Sequence, residues 1–182
     1  MDFIQRALDN PGVVGYFSSR KTHNLEDLIT DAFLKSSRPV LAILDSIQDP
    51  QNLGAIVRSA EALGLQGIII PKHRASPLNA TVAKSSSGAV EKIPIAQVNN
   101  LATSLETLKS VGFWTVGVTP DGEKSCYQFQ FDMPTALIVG GERKGIRPIL
   151  RKKCDHTIRI PMKGETGSLN VSVASAILFY EV

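Results

Sequence analysis

The chain has 182 residues, is 43% hydrophobic and carries a formal net charge of +3. That length suits one domain, with or without a short extension, and that apolar content excludes a disordered chain. No apolar stretch approaches the ~20 residues of a membrane helix, and the start, Met1 to Asn10, lacks the basic n-region and apolar core of a secretory signal, so a cytoplasmic protein with no membrane role is expected.

Residues 1–39 read as a linker and helical N-terminal extension. Pro11-Gly12 and Ser18 to Lys21 have loop composition, and Asn24 is predicted to cap a helix over 25–35, with Asp27 three residues later echoing a capping box. Pro39 marks the entry to an apolar run at 40–44. From there strand and helix signals alternate through residue 182. Strands are predicted at 40–44, 67–70, 113–118, 135–139 and 157–160, with a weaker one at 92–96. Helices are predicted at 53–64, 77–85, 100–111, 146–152 and 168–181, and Pro120-Asp-Gly122 is a turn signal. The alternation predicts an α/β fold, a mostly parallel sheet with helices on both faces. Asn52 is read as the N-cap of helix 53–64, and Ser168 as the cap of the last helix. On a wheel of helix 53–64, Leu53, Ile56, Val57, Ala60 and Leu63 share one side and Arg58 projects from the other. Helix 168–181 is apolar almost all round, which calls for burial on several sides, in the core or at a subunit interface.

Three polar blocks follow three of the apolar runs: Asp49 to Ala60, Gly140 to Gly145, and Gly164 to Ala174. In an open α/β sheet, loops at the carboxyl ends of strands form the ligand crevice. Gly54 and Ala55 keep a helix turn slim enough for a ligand to approach, and Arg58 can grip a phosphate through its fork. Gly140 and Gly145 have phosphate-loop spacing, but Ile146-Arg147 follows where Lys-Ser/Thr is required. No G-x-G-x-x-G follows a strand, so ordinary dinucleotide binding is weak as well. Cys126 and Cys154 have neither disulfide nor zinc spacing, and His23, His73 and His156 are scattered, so no metal site is expected. Positive charge gathers at Arg143, Lys144, Arg147, Arg151, Lys152 and Lys153, with a smaller group at Lys72, His73 and Arg74, a footprint for nucleic acid or a solvated face.

Taken together, Asn52-x₅-Arg58-Ser-Ala, Gly140-x-Glu142-x-x-Gly145 and Ser168-Leu-Asn-Val-Ser-Val-Ala174 resemble the three motifs of the SpoU/TrmH family of RNA ribose 2′-O-methyltransferases, within the SPOUT superfamily. The resemblance covers roughly residues 40–182 and is nearest to the bacterial subgroup that methylates a guanosine ribose in 23S rRNA; a transfer-RNA ribose methyltransferase is the runner-up, and a catalytically silent knotted RNA-binding module is the alternative of a different class. It implies a C-terminal deep trefoil knot, a homodimer formed through the knot region, and S-adenosylmethionine as methyl donor. It assigns Asn52, Arg58, Glu142, Ser168 and Asn170 to catalysis and substrate positioning. Gly140, Ile160 and Leu169 would bind the donor, with Thr119, Gly141 and Met162 as further lining, and Arg143, Lys144 and Arg147 would face the RNA. Many relatives of the subgroup carry a separate N-terminal RNA-recognition domain, and residues 1–39 are too few for one. A fragment lacking that domain is therefore expected, with 40–182 as the catalytic domain.

Overall fold

The computed structural model describes residues 22–142 and 144–182. In chain order the elements are α1 (Leu25–Lys35), β1 (Val40–Asp45), α2 (Pro50–Ala62), β2 (Gly67–Pro71), α3 (Ala80–Ser85), β3 (Ile95–Val98), α4 (Leu101–Ser110), β4 (Trp114–Val118), β5 (Lys124–Ser125), β6 (Thr135–Gly140), α5 (Pro148–Arg151), β7 (His156–Arg159) and α6 (Val171–Glu181). The strands form one sheet in the order β3-β2-β1-β6-β4-β7-β5. Every pairing in it is parallel.

The sheet is apolar on both faces because successive side chains of a strand point to opposite sides. Ala42 and Leu44 of β1 face one core with Ile68, Ile70, Leu137 and Val139, roofed by α2, α3 and α6. Leu41 and Ile43 face the other with Ile69, Ala136 and Ile138, roofed by α1, α4 and α5. Helix α1 belongs to this packing: Leu25, Leu28, Ile29 and Ala32 are buried against the second face. The packed unit therefore takes in residues that the sequence assigned to an extension. The predicted linker up to Lys21 lies outside the described residues.

Helix starts show which local signal prevails. Asn24 caps α1 as predicted, its side chain accepting the Asp27 N–H at 2.7 Å. Helix α2 begins three residues before its predicted start: Asp49 accepts the Gln51 N–H at 3.1 Å, and Pro50 takes the first helical position. An Asp-Pro pair combines a good cap with a residue already fixed at helical φ, and it outcompetes Asn52 for the role. Asn52 is thus a helical residue and not a cap. Helix α6 also starts late: its N-cap is Asn170, which accepts the Ser172 N–H at 2.8 Å. Ser168 is exposed and caps nothing.

Gly54 serves packing and not ligand access. A Cβ there would stand 1.8 Å from Ser85 Oγ and 2.9 Å from the Val82 carbonyl of α3. Strand β5, two residues long, has too little sequence to leave a pattern. The Pro120-Asp-Gly122 turn closes as predicted, with the Gly122 N–H donating to the Thr119 carbonyl at 3.1 Å.

Candidate functional site

Strand order reverses at β1. The chain moves from β1 outward to β2 and β3, then crosses to the far side, and β6 returns to lie against β1. The carboxyl ends of β1 and β6 therefore frame a crevice of the kind in which open α/β sheets bind ligands. Asp45 at the end of β1 sits beside Gly140 at the end of β6. Two of the three polar blocks leave the sheet at that point.

The third block is brought to the same place by α6. Asn170 Nδ2 donates to Glu142 Oε1 at 2.8 Å and to Asn52 Oδ1 at 3.1 Å. Asn52 Nδ2 donates to the same Glu142 oxygen at 3.1 Å. Asn170 Oδ1 is taken by the Ser172 N–H and hydroxyl, at 2.8 and 2.6 Å. Residues 52, 142 and 170 thus form a closed triangle across three distant segments. All three hydrogen bonds are solvent-accessible, so they add little to stability. Their effect is geometric: they hold one carboxylate by two amides, and Glu142 Oε2 makes no hydrogen bond among the described residues.

Two of the residues predicted for this site do not join the triangle. Ser168 is exposed and makes no hydrogen bond among the described residues. Arg58 is exposed on α2. It lies six residues beyond Asn52, which is about 9 Å further along the helix and roughly 120° around it.

Asp45 is the residue that sequence reasoning passed over. It is fully buried, accepts the Arg147 N–H at 2.9 Å on Oδ2 and pairs with Arg147 Nε at 2.8 Å on Oδ1. One carboxylate thereby anchors the return end of the 140–147 loop. An acidic residue closing the apolar run Val40 to Leu44 was the available signal. The same contact turns Arg147 Nε inward to a buried partner, while its side chain stays partly exposed. Within the loop, Gly145 has φ 60° and its N–H donates to the Gly141 carbonyl at 2.8 Å. A Cβ on Gly140 would fall 2.0 Å from the Gly145 carbonyl carbon. The two glycines close a tight hairpin, which is why they mimic phosphate-loop spacing without its chemistry.

Other members of the basic run are also paired. Arg151 Nη2 meets Asp121 at 2.7 Å, and Lys153 bonds Glu106. Lys144 is exposed. Arg143 lies outside the described residues. Along the carboxyl edge beyond β6, Thr119 follows β4 and Ile160 follows β7, and the Thr119 N–H donates to the Ile158 carbonyl at 2.9 Å. Thr119 is buried, and its hydroxyl oxygen lies near enough to the Asp121 carboxylate to help Arg151 hold that group below the usual carboxylate range, yet meets full hydrogen-bond geometry with no described residue. Ile160 and Leu169 are half-buried and Met162 is exposed, all after β7. Orphaned buried hydroxyls are rare in folded proteins and ask for a partner.

Both cysteines are free. Burial pushes the Cys154 thiol up to about 11, beside Gly117, and burial raises Cys126 as well. Both are held towards the neutral thiol near pH 7, the less reactive form.

A covered parallel sheet with polar loops meeting at its switch point defines an α/β ligand-binding domain of the open, doubly covered class. Within that class the chain belongs to the SpoU rRNA methylase family, whose model matches residues 39–180. It is 41% identical over 181 residues to the 23S rRNA (guanosine-2′-O-)-methyltransferase RlmB of Vibrio parahaemolyticus, covering 100% of this chain and 73% of that one. The SpoU methyltransferase AviRb of Streptomyces viridochromogenes, solved in complex with the cofactor AdoMet, superposes with a TM-score of 0.73 at 32% identity, over 79% of this chain and 56% of its own. The A. aeolicus TrmH/SpoU tRNA modifying enzyme superposes with a TM-score of 0.73 at 29% identity, over 86% and 79%. The chain spans 73% of the RlmB relative and 47% of a tRNA/rRNA methyltransferase relative from Synechocystis sp..

Proposed function

We propose that this chain transfers a methyl group from S-adenosylmethionine to a ribose 2′-hydroxyl of RNA, a guanosine of 23S rRNA in the first instance. The observation that carries the reading is the triangle of Asn52, Glu142 and Asn170, built at the switch point of a SpoU-family sheet. The RlmB relative supports the ribosomal substrate. The A. aeolicus neighbour keeps transfer RNA as the second reading.

The donor supplies a methyl already activated on a sulfonium, so the protein's work is alignment and charge management with no metal required. The residues that would hold the donor follow one another along the carboxyl edge of β6, β4 and β7. The backbone of Gly140 and Gly141 would meet its polar edges, Ile160, Leu169 and Met162 would cover its apolar surface, and the unpartnered Thr119 hydroxyl would take a hydrogen bond from it. Asn52, Glu142 and Asn170 would position the acceptor nucleotide, with Ser168 two residues before Asn170. Arg58 would hold the neighbouring phosphate and stabilise charge developing on the 2′-oxygen. A guanidinium stays protonated at neutral pH, so this role is electrostatic and not that of a general base. Lys144, with Arg143, would extend the contact to RNA.

The remaining parts of the reading concern the whole molecule. A C-terminal trefoil knot is supported by the packing of α6 on α2 and by the Asn170–Glu142 bond that brings the C-terminal segment against the 140–147 loop. A homodimer through this region is supported by the exposed Val173, Ile177 and Tyr180 on α6. A cytoplasmic site of action is supported by the ribosomal RNA named for the RlmB relative, and no helix of the described residues is long and apolar enough to cross a membrane.

The test is methyl transfer from labelled donor to unmodified 23S rRNA and transfer-RNA transcripts, followed by mapping of the modified ribose. Ribose methylation of the ribosomal transcript is the expected result. Methylation of transfer RNA alone would select the second reading. Binding of RNA with neither donor affinity nor transfer would identify a silent module. Arg58→Ala should abolish transfer while leaving donor affinity by calorimetry unchanged, and Arg58→Lys should stay poor because a point charge cannot replace the fork.

A further inference from the structure

The sequence shows two basic clusters, and the fold treats them differently. Of the 143–153 run, Arg147, Arg151 and Lys153 are spent on Asp45, Asp121 and Glu106. Lys72, His73 and Arg74 are all exposed, and none forms an ion pair among the described residues. Lys144 and Lys152 of that run remain exposed without an ion pair among the described residues, and a second unneutralised group, Lys72 to Arg74, sits on the loop between β2 and α3, at the same carboxyl edge as the candidate site.

That loop has an uncommon backbone. Arg74 adopts φ 66°, a left-handed conformation that non-glycine residues rarely adopt and that costs of order 1 kcal/mol. The Ser76 N–H donates to the Ile47 carbonyl at 2.8 Å, and the Lys72 N–H to the Val98 carbonyl at 2.8 Å. The first bond ties the loop to the β1–α2 connection that leads to Asn52, and the second ties it to the end of β3.

Beneath it lies a cavity of about 280 Å³ lined by Thr22, Lys72, Ser76, Pro77 and Gln97, with Pro71 at its wall. Ser76 is buried, and among the described residues the sole partner of its hydroxyl is the Pro77 carbonyl at 3.3 Å. The Gln97 side chain makes no hydrogen bond among the described residues, so its amide retains donors and acceptor for a ligand. The cavity opens at β2 and β3. The triangle stands at β1 and β6, two strand spacings away or about 10 Å.

We infer that this cavity is a subsite for an unpaired nucleotide flanking the methylated one in the RNA substrate. Lys72 and Arg74 hold its phosphates, and the base enters the cavity against Pro71 and Pro77, with its edge on Gln97 and Ser76. The inference rests on the proposed RNA methylation and specifies how the substrate is held. Sequence-specific recognition of RNA works on splayed bases of this kind, because paired bases hide their edges in a narrow groove.

The test uses the full chain as wild type, the double variant Lys72→Ala/Arg74→Ala, and Gln97→Ala. Each is titrated with a labelled single-stranded oligoribonucleotide over a range of salt, and assayed for transfer to unmodified 23S rRNA. Losing two phosphate contacts should flatten the slope of log K against log salt by about 1.4. KM for RNA should rise by roughly tenfold or more, with kcat and donor affinity kept, as expected when binding common to ground and transition states is lost. Gln97→Ala should leave the salt slope unchanged and alter the preference for the base beside the methylated ribose. Unchanged salt slope and KM in the double variant would overturn the subsite. A wild-type chain that methylates no RNA, but whose salt slope still falls in the double variant, would overturn the reaction and leave the subsite standing.

Discussion

At the scale of single residues, Asn52 shows how one side chain separates two accounts of the same position. Its place before an apolar periodic stretch reads as a helix cap, and removing a cap costs about 1 kcal/mol. In the fold Asp49 holds that role, and Asn52 joins Glu142 and Asn170 instead. Asn52→Ala should therefore leave the melting midpoint nearly unchanged while kcat falls by roughly tenfold or more, each tenfold being about 1.4 kcal/mol of barrier. Asn170→Ala should lose activity and also destabilise by about 1 kcal/mol, because Asn170 caps α6 as well. Thermal melts paired with single-turnover assays check both; a destabilised but fully active Asn52→Ala would restore the capping account. Asp45 makes the complementary case. Its carboxylate is buried and paired, and Asp45→Ala should cost about 3 kcal/mol or more by stranding Arg147 and releasing the 140–147 loop. Urea unfolding measures this directly.

At the scale of elements, what the sequence reveals depends on whether the cause of a feature is local. Helix α1 was readable to the residue because its cap, its first turn and its apolar face lie within one stretch. The start of α6 was misplaced because Ser168 and Asn170 offer the same capping chemistry, and only contact with Glu142 and Asn52 decides between them. Gly54 was legible as important but not for the right reason, since its neighbour, Ser85, is 31 positions away. Gly54→Ala should destabilise by about 1–3 kcal/mol through overpacking. Adding Ser85→Ala removes the nearest atom and should recover part of that loss in a double-mutant cycle, although the Val82 carbonyl remains close. Additive effects would place the strain elsewhere. The junction of α4 with β7 carries a pH-dependent contribution of the same non-local kind. Burial would raise the Asp155 carboxyl, but the Lys109 ammonium at 2.7 Å and the Thr115 hydroxyl and N–H outweigh it and hold the group below the usual carboxylate range. A depressed folded-state value means stability that is complete above the unfolded value of about 4 and lost as pH falls through the folded one. Asp155→Asn should lose stability near neutrality and show a shallower acid decline than wild type in urea titrations at several pH values.

At the scale of the whole molecule, α6 has to satisfy water, the sheet and the site at once. Its inner face buries Val171, Ser175, Leu178 and Phe179, and its N-cap Asn170 closes the triangle. Its outer face keeps Val173, Ile177 and Tyr180 exposed, at spacings of four and three that place them on one stripe. An apolar stripe beside a site is unfavourable to leave in water, and a second copy of the chain, apposed about a two-fold axis, would present the same stripe to it. The proposed homodimer makes a specific expectation from this. Val173→Asp/Ile177→Asp should convert a dimer to a monomer in sedimentation velocity. The fold should survive, since charges at exposed positions of a monomer shift stability by only about 0.5 kcal/mol. If the stripe is instead free in solution, the wild-type chain will sediment as a monomer at the same concentration and the substitutions will change nothing. Because Asn170 opens the helix that carries the stripe, the monomeric variant should also lose methyl transfer more than donor binding. A variant that is monomeric and fully active would separate assembly from catalysis and remove the reason for expecting the two to share one helix.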